Sequence, residues 1–274
     1  MNESPAAALA RLLEIMRRLR GAGGCPWDRE QTFASIAPYT IEESYEVAEA
    51  IARGEPRALE AELGDLLFQV VFHAQMGAER GWFDFASVAQ SISDKLTERH
   101  PHVFAEARID DPVALNRAWE DHKARERAAS SAQSGGPASE LADVPLALPA
   151  LARAAKLGKR AGRVGFDWPD AAGVRDKIDE ELRETDEVAA GEPARRTEEL
   201  GDLLFAVANW SRHLAVDPEE ALRLANQKFE RRFRAMEALA AAGGRKLRDL
   251  DAAAWDALWN EAKSGVKTLS ETGR

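Results

Sequence analysis

Apolar residues recur along this chain at helical spacing. Leu9, Leu12, Leu13, Met16 and Leu19 mark one stripe, which stops at the glycine-rich stretch Gly21-Ala22-Gly23-Gly24. Leu63, Leu66, Leu67, Val70 and Val71 mark another. Leu200, Leu203, Leu204 and Val207 repeat that face in the second half. No stretch alternates β-branched and polar residues long enough to read as a strand pair. The pattern predicts an all-α fold. Residues 128–140 are small, polar and aperiodic and read as a linker. The expected organisation is therefore a domain at 1–127, the linker, and a second domain at 141–274.

The two halves resemble each other. Gly54-Glu55-Pro56 corresponds to Gly191-Glu192-Pro193, and Glu62-Leu63-Gly64-Asp65 to Glu199-Leu200-Gly201-Asp202, both offset by 137 residues. Lys95 and Arg99 fall opposite Lys228 and Arg232. Trp119 and Lys123 fall opposite Trp259 and Lys263. Order and approximate spacing persist through the whole repeat, so a tandem duplication is expected.

Composition narrows the classes. The chain has 274 residues, of which 45% are hydrophobic, enough for two domains with real cores. Net charge is −10, which argues against general binding to nucleic acid or anionic membranes. No apolar run reaches membrane-spanning length, and the N-terminus lacks a long apolar signal core. Cys25 is the only cysteine, so there is no internal disulfide and no cysteine metal cluster. A soluble cytoplasmic protein is expected.

The acidic residues carry the chemistry. Glu42-Glu43-x-x-Glu46 precedes Glu62-x-x-Asp65, and Glu180-Glu181-x-x-Glu184 precedes Glu199-x-x-Asp202. Residues three and four apart share a helix face. Gly54 is placed to end one helix and Pro56 to start the next. Counted from Gly54, Glu46 and Glu62 each lie eight residues away, and Glu43 and Asp65 each eleven. In an antiparallel hairpin these pairs stand at matched heights, roughly 12–16 Å from the turn at 1.5 Å per residue. The second copy repeats this within one residue, Glu184 lying seven before Gly191 and Glu199 eight after.

So many carboxylates aimed at one place would repel unless a cation sat between them. An oxygen-only donor set suits Mg2+ or Mn2+, and Mg2+ favours substrates that bring phosphate oxygens. A solvated acidic face explains one Glu-Glu-x-x-Glu; it explains poorly a set at matched heights that occurs twice. A di-iron bundle would need Glu three residues before a histidine. Those positions hold Val70, Thr97, Arg99, Trp119 and Trp210. Gly64 and Gly201 interrupt helical patterns, where glycine costs roughly 1 kcal/mol; a close helix crossing or a close approach to the metal site would account for them.

Beyond these motifs, Gly24-Cys-Pro-Trp-Asp28, Gln31-Thr32-Phe33, Arg99-His-Pro-His-Val-Phe104 and Lys228-Phe-Glu-Arg-Arg-Phe233 complete a set that resembles the MazG family. These are nucleoside triphosphate pyrophosphohydrolases of the all-α NTP pyrophosphatase group. The similarity spans nearly the whole chain. It implies Mg2+-dependent cleavage of NTP or dNTP, ATP included, to the monophosphate and pyrophosphate. It also implies a homodimer in which the C-terminal domain is the main catalytic unit. By motif, Glu181, Glu184, Glu199 and Asp202 become the metal ligands, with Glu43, Glu46, Glu62 and Asp65 as a second metal site. Lys228 and Arg232 become triphosphate contacts, and Trp259, with Lys263 beside it, a base or ribose contact. Lys177, Glu180, Arg195 and Glu198 flank the site against the nucleotide.

The expected mechanism is metal-assisted hydrolysis, with Glu180 or Glu198 as the general base. No Gly-x-x-x-x-Gly-Lys-Ser/Thr loop is present to support a P-loop mechanism. The competing readings are a nucleotide sensor without turnover and a helical dimerisation protein with a fossil site. Both copies keep their acids and basic residues, which favours the enzyme.

Overall fold

The computed structural model describes residues 3–104, 111, 139–142, 144–188 and 192–271, with side chains to residue 264. Trp119, Lys123, Gly191 and most of the expected linker lie outside them. The described residues form helices and connecting turns, with no strand among them. The fold is all-α. Backbone proximity groups the chain into two compact units, residues 1–123 and 124–274.

In the first unit, α1 (Pro5–Arg20) starts on Ser4, whose hydroxyl accepts from the Ala7 amide at 3.2 Å. A short α2 (Pro26–Glu30) leads to α3 (Phe33–Arg53). Thr32 and Ser35 form a reciprocal capping box there, with bonds of 3.2 and 2.8 Å. Gly54 ends α3 in the left-handed region at φ 68°, and Pro56 opens α4 (Pro56–Glu79). Then α5 (Phe85–Arg99) starts on a second capping box, Asp84 with Ser87, and α6 (Pro101–Phe104) is one turn. The core of this unit is Met16, Ile36, Val71, Phe72 and Met76, drawn from α1, α3 and α4.

The second unit contains α7 (Ala150–Arg163), α8 (Ala171–Glu187), α9 (Pro193–His213), α10 (Pro218–Ala242) and α11 (Ala252–Glu271). Asp170, Asp217 and Asp251 cap α8, α10 and α11, accepting backbone amides at 2.8–3.0 Å. Helices α8 and α9 pack as a hairpin, and α7 lies along α9. Close approach of α7 to α9 depends on Gly158, where a Cβ would stand 1.7 Å from Asn209 Oδ1. Helices α10 and α11 form a second hairpin around Met236, Ala240, Leu258 and Ala262.

Gly64 and Gly201 correct an expectation. A Cβ at either would meet nothing within 4 Å among the described residues, so a close helix crossing there does not explain them. They stand instead beside exposed apolar stripes. Leu63, Leu67 and Val70 are exposed on α4, and Leu200 and Leu204 on α9.

Candidate active site

The α3–α4 hairpin brings Glu43, Glu62 and Asp65 together, with one carboxylate oxygen of each within 4.8 Å of the others. Glu46 stays outside that threesome but is among the acids that raise Glu62. Burial, reinforced by the charges of Asp65, Glu46, Glu62 and Glu42, pushes the Glu43 carboxyl above its ordinary range. Burial and the neighbouring Glu46 and Asp65 do the same to Glu62. Further from the turn, Thr40 Oγ1 and His73 Nε2 lie 3.1 Å apart.

The α8–α9 hairpin repeats the arrangement with Glu181, Glu184 and Glu199, again within 4.8 Å of one another. Here the electrostatics differ. Lys177 Nζ lies 2.6 Å from Glu181 Oε1 and 3.0 Å from Glu180 Oε1. Its carboxylate neighbours, Glu181 above all, hold it firmly as the ammonium. Arg195 Nε lies 3.5 Å from Glu199 Oε1. Glu181 is almost wholly buried, its side chain 4% exposed, and its Oε2 has no hydrogen-bond partner among the described residues. A buried carboxylate oxygen left unpaired calls for a ligand. The donors are carboxylate oxygens throughout, a set whose chemistry fits a hard divalent cation.

A separate pocket of about 350 Å3 lies on the α10–α11 hairpin. Its walls are Phe229, Phe233, Met236, Leu247, Trp255 and Trp259, with Arg248 and Asp256 also lining it. Phe229 stacks on Phe233 at 5.9 Å and leans on Trp259 at 5.6 Å. Trp255 donates its indole N–H to the Leu247 carbonyl at 2.7 Å. A mostly apolar pocket with few polar groups suits a flat heterocycle.

Residues 31–104 match the model of the MazG nucleotide pyrophosphohydrolase domain. Over 260 residues the chain is 50% identical to the nucleoside triphosphate pyrophosphohydrolase of Escherichia coli (strain K12), covering 92% of this chain and 96% of that protein. It is 44% identical over 257 residues to the nucleoside triphosphate pyrophosphohydrolase/pyrophosphatase MazG of Thermotoga maritima, covering 94% and 96%. It is also 43% identical to the uncharacterized protein YabN of Bacillus subtilis, covering 91% of this chain and 50% of that one. The chain belongs to the MazG family.

The residues expected from the MazG motifs fall as follows. Six of the eight expected metal ligands form the two threesomes. Asp202 stands exposed on α9 outside the second set, as Glu46 stands outside the first. Glu180 and Glu198 flank the second cluster, Glu180 on Lys177 and Glu198 exposed beside Glu199. Lys228 and Arg232 sit four apart on α10, which touches α9. Lys228 is exposed, and the buried Arg232 Nε has no hydrogen-bond partner among the described residues. Trp259 forms a pocket wall, and Lys263 is exposed one turn further along α11. Sequence reasoning passed over Phe229 and Phe233. Their signal was present: two aromatics four apart, each directly after a cation assigned to phosphate.

Proposed function

We propose that this chain is a Mg2+-dependent nucleoside triphosphate pyrophosphohydrolase. It hydrolyses NTPs and dNTPs to the monophosphate and pyrophosphate in the cytoplasm, with its C-terminal half as the main catalytic unit. The observation that carries this reading is Glu181, buried within a carboxylate cluster and with one oxygen unpaired. The names of the relatives and the family membership support the same activity.

In this reading Glu181, Glu184, Glu199 and Asp202 hold Mg2+, or Mn2+ in its place, with Glu43, Glu46, Glu62 and Asp65 as a second metal site. When bound, the ion lowers the pKa of a coordinated water and offsets charge on the leaving pyrophosphate. Glu180 or Glu198 takes the proton of the attacking water on a carboxylate oxygen. Lys228 and Arg232 bind the phosphate chain as point charge and fork. Trp259 stacks on the base or ribose, with Phe229 behind it, and Lys263 beside it faces the nucleotide. Lys177 and Arg195 contact the nucleotide from the carboxylate side.

The working form is a homodimer. Gly64 and Gly201 carry the helix penalty of glycine with no neighbour among the described residues to justify it. They lie among exposed leucines at equivalent positions of the two copies. A second copy laid against such stripes would bury the leucines and use the room the glycines leave.

The test is product analysis. Purified protein incubated with each NTP and dNTP and Mg2+ releases monophosphate and pyrophosphate in equal amounts. Diphosphate with orthophosphate, or tight binding without turnover, contradicts the proposal.

A further inference from the structure

The two carboxylate clusters differ in what neutralises them. At the C-terminal cluster Lys177 lies 2.6 Å from Glu181, and Arg195 lies 3.5 Å from Glu199. Each cation stands four residues before its acid, on the same helix face. At the N-terminal cluster the residues four before Glu43 and Glu62 are Tyr39 and Ala58. Among the described residues, the ion pairs of the first unit are Arg11–Glu3, Arg17–Glu14, Arg20–Glu79 and Arg53–Glu49, and none reaches Glu43, Glu46, Glu62 or Asp65. The hairpin therefore forms around such a cluster without a built-in cation. Lys177 is particular to the C-terminal hairpin, not a requirement of the architecture.

Its placement is specific. Lys177 occupies Glu181 Oε1, while Oε2 of the same buried carboxylate has no partner. A divalent cation approaching Oε2 meets a resident positive charge that shares its ligand. Repulsion between them weakens binding of the bare ion. A triphosphate reverses the balance. Its oxygens give the ammonium another anion to face, and Glu181 is released to the metal. Arg195 on Glu199 works in the same sense.

We propose that Lys177 is a resident counter-ion of the C-terminal cluster, one that makes the divalent cation and the triphosphate bind there as a pair. The proposal rests on the C-terminal cluster being the metal–nucleotide site. It deepens that reading by fixing the order of loading: the metal-bound triphosphate is the ligand, and free metal alone leaves the site largely empty. Lys177 acts here as a positioning residue through Glu181. By linkage, the factor by which the triphosphate tightens the metal equals the factor by which the metal tightens the triphosphate.

The test uses the full chain carrying Glu43→Gln and Glu62→Gln, which leaves one cluster to titrate. Mn2+ binding is followed from the electron paramagnetic resonance of the free ion, with and without an α,β-methylene triphosphate analogue. In this background the analogue tightens Mn2+ by about tenfold or more. Lys177→Met tightens the bare ion several-fold and cuts the analogue's effect to about threefold or less. Lys177→Arg keeps the full coupling. If Lys177→Met does not fold, Lys177→Gln, uncharged but still able to donate to Glu181, gives the same result. A merely structural lysine would weaken Mn2+ in every state when replaced. An unchanged or weakened bare-ion affinity in the uncharged variant, or an undiminished analogue effect, overturns the proposal while leaving the metal site standing. No Mn2+ bound even with the analogue overturns both.

Discussion

Arg20 and Glu79 are joined by two hydrogen bonds, 2.8 and 2.7 Å long, between α1 and α4. The Arg20 side chain is 8% exposed. The same guanidinium donates to the carbonyl oxygens of Asp28 and Gln31 and lies 5.3 Å from the Phe72 ring centre. One side chain thus ties α1, the α2 turn and α4 together beneath the N-terminal hairpin. Arg20→Met keeps the stem and removes all of these bonds. It lowers stability by about 2–3 kcal/mol, because Glu79 loses its guanidinium and keeps only Gln75, and the Asp28 and Gln31 carbonyls each lose a donor. Urea unfolding followed by circular dichroism measures the loss.

Gly158 sets how closely α7 approaches α9. Asn209 is fully buried there, donating to the Phe205 carbonyl at 3.0 Å and accepting from Arg212 at 3.3 Å. Gly158→Ala drives a methyl into its amide oxygen. Helix propensity would favour alanine, but the clash dominates, and stability falls by about 1–3 kcal/mol. A thermal melt of the variant checks this. A gain in stability would show that the helices separate freely.

Asp167 links the turn after α7 to the end of α9. Arg212 donates to it at 2.8 and 2.5 Å, and His213 Nε2 lies 3.0 Å away. The Arg212 guanidinium in particular, with His213, holds the carboxyl at about 2, below the 3.8 of a free aspartate. A carboxylate with a depressed folded pKa stabilises the protein above the unfolded value and loses that contribution as pH falls through the folded one. The side chain is 23% exposed, so solvent screening reduces the gain to about 1–2 kcal/mol. Asp167→Asn is therefore less stable than the parent at pH 7. The difference closes between about pH 4 and pH 2, as denaturant midpoints across that range will show.

Glu43 and Glu62 destabilise the metal-free protein, since burial and mutual repulsion raise both. Glu62→Gln removes part of that repulsion. It raises the melting temperature in EDTA and shrinks the rise that Mg2+ produces in the parent. An unchanged Mg2+ response would place the stabilising ion elsewhere.

Much of this was legible in the sequence because its signals are local. Gly54 and Pro56 punctuate a hairpin, and the distances of Glu43, Glu62 and Asp65 from that turn set which acids meet. What remained hidden depends on contacts between distant residues. Nothing in a helical pattern tells that Lys177 will pair with Glu180 and Glu181 together, and more closely with the buried Glu181. Gly64 and Gly201 pointed to a close helix crossing or a close approach to the metal site, and no crossing fills the space beside them among the described residues. The Gly158–Asn209 contact carried no periodic mark at all. The aromatic pocket was half visible, through Trp259, because its other walls sit among residues already claimed by charge.

The central claim is that the buried carboxylate of the C-terminal hairpin is the working one. Steady-state hydrolysis of a dNTP at saturating Mg2+ tests it directly, comparing Glu181→Gln with Glu43→Gln. Glu181→Gln is expected to lose at least about 100-fold in kcat, as when a metal ligand is removed. Glu43→Gln keeps most of the parent's rate. Equal losses in the two variants, or the larger loss at Glu43, would contradict it.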